Sequence, residues 1–143
     1  MSQPSPPDAV EISFHVRFAE TDQMGIVHHT NYIIWFEESR SAYMRARGTS
    51  YTAFAADGLE LAVSKVQARY LAPARYDRLV TVCCWVEQMQ SRKMRFSYRI
   101  YDTASGQTLV TGFTDHICIT PEGRVARIPD KWRHMLKVEN RRN

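Results

Sequence analysis

Two carboxylates and two histidines, Glu20, Asp22, His28 and His29, fall within ten residues of one another, with Gly25 between them. A loop carboxylate can take a proton from water or attack an electrophile itself, and a histidine near neutral pH can move a proton in either direction. The residues before this stretch alternate like a strand and those after it recur like a helix. The cluster would thus sit where free N–H groups at a helix start favour developing negative charge. Asp22 is the first candidate for the chemical group, and Glu20 is expected to be a solvated charge at a strand end. The competing reading of Asp22 is a turn residue bonded to its own backbone.

Gly25 is expected either to adopt positive φ or to let the backbone approach a ligand closely. His28 and His29 are adjacent, so on a helix or a strand they cannot point the same way, and a metal site using both is not expected. His29, next to the helix start, is the one expected to face the pocket, with its backbone N–H available to an oxyanion. Glu37 and Glu38 read mainly as surface charges. Arg92 and Lys93, in the hairpin between two later strands, are candidates for binding phosphate. Trp35 and Tyr43 read as core or subunit contacts.

The elements that must position these groups follow from periodicity. Ile12, Phe14, Val16 and Phe18 alternate with polar residues, which predicts a strand ending near Ala19. From a cap at Thr30 or Asn31, Tyr32, Phe36, Tyr43 and Ala46 recur at helical spacing, and Gly48 after Arg47 is placed to terminate the helix. A short helix over 51–56 follows. Four strands are predicted next, over 59–70 with either a bulge or burial on both faces, 79–88, 94–100 and 109–120, with a turn at Asp102 to Gly106. A last short helix starts near Asp130. One long helix against one face of an antiparallel sheet is an α+β layout.

The 143 residues fit one domain, too small to enclose a large pocket without a second subunit. The expected division is a flexible lead-in over 1–9, a single domain over 10–138 and a basic tail over 139–143. Hydrophobic residues make up 44% and charged residues 24%, and no apolar run is long enough to span a membrane. The Pro-rich start lacks a secretion signal, so a soluble protein in the cytoplasm is expected. Cys83, Cys84 and Cys118 lie in apolar runs without metal or disulfide spacing and read as buried thiols. The net charge of +4 is uneven: Arg124, Arg127, Lys131, Arg133, Lys137, Arg141 and Arg142 crowd the end of the chain. Such a field suits an anionic partner, a phosphorylated cofactor among them, or marks a solvated helix.

The run Glu20-Thr21-Asp22-Gln23-Met24-Gly25-Ile26-Val27-His28-His29-Thr30-Asn31-Tyr32, with Glu38-Ser39-Arg40 after it, resembles the signature of the 4-hydroxybenzoyl-CoA thioesterase-like branch of the hotdog-fold acyl-CoA thioesterases. The resemblance continues through Tyr70-Leu71-Ala72-Pro73-Ala74-Arg75-Tyr76-Asp77, similar to a "Y-x-x-P-A-x-x-D" segment, and spans roughly Val16 to Thr120. It implies a hotdog fold, a curved antiparallel sheet wrapped around one long helix. It implies that Asp22 is the catalytic aspartate and that His29 matches a histidine seven residues later. Acyl-CoA would bind between paired subunits, in a homodimer or a dimer-of-dimers tetramer. Phe18 departs from the pattern, since some relatives carry a tyrosine there, and any role for that phenol is absent.

On this reading the chain hydrolyses an acyl-CoA thioester, with Asp22 as general base or as nucleophile and amides at the helix start as the oxyanion site. Gly25 would shape the loop, and Arg92 and Lys93 would hold the nucleotide end of CoA. No metal and no cofactor is expected, CoA being part of the substrate. The rivals are a hotdog hydratase or dehydratase, since fold does not determine function, and a non-catalytic acyl-CoA-binding module. A nucleic-acid reader is not expected, because the aromatic and basic residues form no recognised motif.

Overall fold

Antiparallel neighbours and one dominant helix organise the computed structural model, which describes residues 5–137. The elements run β1 (Val10–His15), a 3-10 turn (Phe18–Glu20), α1 (His29–Ala46), α2 (Tyr51–Ala56), β2 (Glu60–Tyr70), β3 (Leu79–Met89), β4 (Lys93–Asp102), β5 (Thr108–Ile119) and α3 (Asp130–Leu136). The five strands form one sheet in the order β1-β3-β4-β5-β2, and every neighbouring pair is antiparallel. The expected 139–143 tail and the first four residues of the expected lead-in lie outside the described residues.

Strand alternation decides which face is the core. In β4 the residues Met94, Phe96, Tyr98 and Ile100 are buried while Arg95, Ser97 and Arg99 between them are not. Against that inner face lies α1, which buries Tyr32, Trp35, Phe36, Ser39, Arg40, Tyr43 and Met44 at three- and four-residue steps. Burying each of the large rings contributes on the order of 1.5–3 kcal/mol, so this one stripe holds the helix to the sheet. Phe36 stacks on Tyr98 with ring centroids 4.1 Å apart. Space for it comes from Gly112 of β5, where a Cβ would lie 2.9 Å from Phe36 Cζ and 2.3 Å from the Gln67 carbonyl oxygen.

Two boundaries differ from the sequence reading. The first strand stops at His15, and Phe18 to Glu20 coil into the 3-10 turn, which leaves Phe18 exposed instead of in a core strand. The long helix begins at His29, two or three residues earlier than expected, because the cap is His28 and neither Thr30 nor Asn31: the His28 ring Nδ1 accepts from the Thr30 N–H at 3.3 Å. The bulge allowed for in β2 is present between Val63 and Lys65. All three cysteines are buried and free. Burial pushes the Cys83 thiol up to about 11 and Cys84 still higher, which suits inert core groups.

Candidate active site

The loop between the 3-10 turn and α1 is a small closed unit. Thr21 bridges Val27, the Asp22 N–H donates to the Ile26 oxygen at 2.8 Å, and the Gly25 N–H donates to the Asp22 oxygen at 2.9 Å. Gly25 has φ +80°, and a Cβ there would meet nothing within 4 Å. Gly25 thus takes the left-handed turn that the sequence allows it.

Asp22 makes the turn bond of the competing reading and also lines a cavity. Its Oδ1 accepts from the Met24 N–H at 2.8 Å, a local turn bond, while Oδ2 has no hydrogen bond among the described residues. The same residue lines a cavity of about 350 Å³ together with His29, Tyr32, Tyr70, Ala72 and Pro73. One oxygen is thus fixed by the loop and the other remains available.

His29 is the first residue of α1, and its backbone N–H has no acceptor among the described residues. That orphan donor is what the first turn of a helix leaves over. The two histidines do not diverge as expected. Because His28 is an extended cap residue and not part of the helix, its ring stacks on that of His29 at 4.4 Å and 27°.

Tyr32 and Tyr70 form the aromatic wall of the cavity. Tyr32 Oη accepts from the Ala74 N–H at 3.0 Å, and Tyr70 Oη donates to the His29 oxygen at 3.1 Å. Burial, aided by the nearby Tyr70 and Asp22 and opposed by the Ala74 N–H, pushes the Tyr32 phenol above its ordinary value. Neither tyrosine was singled out as a site residue, although both lie inside the two segments that carry the family resemblance.

Glu20 is the clearest correction. It is 4% exposed and not a solvated strand-end charge. The Arg17 N–H and guanidinium and the Trp35 indole N–H all donate to its carboxylate, at 2.8, 2.9 and 2.9 Å. Burial alone would raise its pKa, but these donors outweigh burial and hold the carboxyl below its usual range. No alternation rule shows this, since the turn that folds Glu20 inward breaks the strand pattern.

Arg92 and Lys93 are not brought to this site within one chain. Lys93 pairs with Ile117, which pairs with Ala62, eight residues along β2 from Tyr70. That places the hairpin roughly 25 Å away at ~3.3 Å per residue. The hairpin instead adjoins α3, where the Ile128 N–H donates to the Ser91 oxygen and a cavity of about 540 Å³ is lined by Met89, Arg127, Asp130, Arg133, His134 and Lys137. Glu37 and Glu38 stay on the surface, and Trp35 and Tyr43 are core.

Known proteins resemble this chain in sequence and fold. Residues 16–136 match the model of the thioesterase-like superfamily. The YneP protein of Bacillus subtilis is 36% identical over 107 residues, covering 75% of this chain and 77% of that protein. The acyl-CoA thioester hydrolase YbgC of Escherichia coli is 27% identical over 106 residues, covering 74% and 78%. The crystal structure of a DHNA-CoA thioesterase from Staphylococcus aureus superposes with a TM-score of 0.83 at 29% identity, covering 89% of this chain and 87% of that one. The match spans most of the chain and coincides with the helix-on-sheet architecture, so the protein belongs to the thioesterase-like superfamily of hotdog-fold enzymes.

Proposed function

We propose that the chain is an acyl-CoA thioesterase in which Asp22 and the His29 backbone N–H act on one thioester. The observation that carries this reading is that a carboxylate with a free oxygen and a residue with an orphan helix-start amide line the same cavity. Asp22 Oδ2 takes a proton from water as the water oxygen bonds to the carbonyl carbon. The carbonyl oxygen then gains charge against the His29 N–H, and the C–S bond breaks to release CoA thiolate. A preorganised oxyanion donor is worth about 10²–10³ in rate, and general-base activation about 10²–10⁴. In the nucleophilic variant Oδ2 itself attacks, and water resolves the anhydride.

The separation of Arg92 and Lys93 from Asp22 within a chain gives the basic region a use only across subunits. In a homodimer, or a tetramer of two such dimers in the cytoplasm, the partner subunit would bring its basic end toward the CoA phosphates. Strand β2 supports pairing, being an eleven-residue edge strand with Val63, Val66 and Tyr70 exposed. Neutralising Arg92 and Lys93 together should then raise KM for acyl-CoA while leaving a short acyl-pantetheine unaffected, and an unchanged KM would remove them from the site.

The deciding experiment is a panel of acyl-CoA and acyl-carrier-protein thioesters, with free thiol measured, on the wild type and Asp22→Asn. Loss of at least about 10²-fold in kcat with an intact fold supports the reading; unchanged hydrolysis points to a binding module with Asp22 as a turn residue. Enoyl-CoA hydration without thioester cleavage would favour the hydratase reading. A single turnover in ¹⁸O water that labels Asp22 would assign the nucleophilic route.

A further inference from the structure

Glu20 stands two residues before Asp22 and is buried more deeply than Asp22 itself. Two of its three carboxylate partners are local, the Arg17 N–H and guanidinium three residues back. The third is not. Trp35 lies fifteen residues on, in the second turn of α1, 2% exposed and wedged edge-to-face against Phe14 and Tyr32, each with ring centroids at 5.1 Å. The main chain of Glu20 adds two more links, its carbonyl oxygen accepting from the His28 N–H at 2.9 Å and from the Asn31 side-chain amide at 3.0 Å. One residue therefore ties the base of the Asp22 loop to the cap, the first turn and the second turn of the helix.

The loop does not need this carboxylate to close. The Thr21–Val27 bridge and the Asp22 N–H bond to Ile26 already do so. Beyond the bonds from the His28 N–H and the Asn31 side-chain amide to the Glu20 carbonyl oxygen, the carboxylate adds a tie from the base of the loop to Trp35 in the second turn of α1. The position of Asp22 relative to the His29 N–H depends on how loop and helix are held together. Burying a carboxylate is costly unless it is fully bonded, so an apolar residue would be the cheaper filler if packing were the sole demand. Displacement of a reacting group by about 1 Å can cost on the order of 10²-fold in rate.

We propose that Glu20 is a positioning residue: through Trp35 it locks the Asp22 loop against the start of α1, so that carboxylate and amide meet the thioester in one geometry. This rests on the reading of Asp22 and His29 given above. Glu20 does not touch substrate. Its removal lowers turnover rather than affinity, because acyl-CoA still finds the cavity while the reacting groups are misaligned.

The test compares Glu20→Gln, Trp35→Phe and the double variant with wild type for kcat, KM and thermal midpoint, alongside Asp22→Asn. Gln has the shape of Glu but offers one acceptor where three donors converge, and Phe keeps the ring of Trp35 without its N–H. Each single variant is expected to lower kcat tenfold or more with KM within about threefold. The double variant should be no slower than the slower single, since both break one link. Phe54→Leu, in the core beside Trp132, serves as a destabilised control expected to keep its kcat. A Glu20→Gln protein with kcat within threefold of wild type, or a loss shared by Phe54→Leu at equal thermal midpoint, overturns the proposal. If Glu20→Gln does not fold, the same thresholds applied to Trp35→Phe decide it. If Asp22→Asn leaves hydrolysis intact, the underlying reading falls as well; if Asp22→Asn is inactive and Glu20→Gln is not, the positioning role alone falls.

Discussion

The Tyr70 hydroxyl, at the last residue of β2, donates to the main-chain oxygen of His29, at the first residue of α1, across 3.1 Å. The free edge of the sheet and the start of the helix are thereby pinned together at the mouth of the cavity that Asp22 lines. A strand end and a helix end that move as one give the site a fixed rim, and four consequences of the surrounding geometry can be measured.

Tyr70→Phe keeps the ring against Tyr32 and removes the bond to His29. A single exposed hydrogen bond contributes about 0.5–1.5 kcal/mol, so stability should change by no more than that in urea unfolding. The larger expected change is a rise in KM of a few-fold in steady-state hydrolysis, as the rim loosens.

His29 occupies the first helical position, where proline is well tolerated, and His28 before it is already extended at φ −63°, ψ 136°. His29→Pro therefore removes the amide donor without breaking the helix. It should reduce kcat by about 10²–10³, whereas His29→Ala, which keeps the N–H, should lose far less. Circular dichroism on both variants checks that α1 survives.

Gly112→Ala should destabilise the fold strongly, because the new methyl would sit 2.3 Å from the Gln67 backbone oxygen and 2.9 Å from Phe36. Neither neighbour is the free end of a flexible chain, so β2 or α1 must shift. A loss of about 2–3 kcal/mol in denaturant unfolding is expected.

His116 is 1% exposed, with its ring nitrogens against the Thr114 hydroxyl and the Leu61 carbonyl oxygen. Burial, and then the Arg40 charge, lower its pKa from 6.5 to about 4, partly opposed by Leu61 and Asp115. Between those values the unfolded chain binds a proton that the folded chain refuses, so stability falls as pH drops from about 6.5 to 4. The full effect is on the order of 3 kcal/mol at about 1.4 kcal/mol per unit. Asp102, held at about 2 by Arg78 and Ser105, contributes its own loss only below about pH 4. Urea midpoints taken at pH 7, 5.5 and 4 should fall less steeply for His116→Gln than for wild type.

Periodicity and turn chemistry made most of the architecture legible. The alternation in β4, the helical spacing from Tyr32 to Tyr43, the glycine stop at Gly48 and the bulge in β2 are local patterns, each set by residues within a few positions of one another. Asp22 and His29 were legible as candidates because a loop carboxylate ahead of a helix start is also a local arrangement, and the structure lines one cavity with both.

Three features were decided elsewhere in the chain. Glu20 reads as a surface charge until the Arg17 donors and the indole N–H of Trp35, fifteen residues along the chain, converge on its buried carboxylate. The His28 ring lies on that of His29 because His28 is the extended cap of α1, its main-chain N–H tied back to the Glu20 carbonyl oxygen eight residues earlier. Arg92 and Lys93 shared a plausible chemistry with the site, but strand register carried them to the far end of the sheet. Sequence alone thus determined the elements and the chemically able residues, since both are properties of near neighbours. Which of those residues meet was decided only by the tertiary structure, because strand register and helix placement join groups whose separation along the chain carries no signal of their contact.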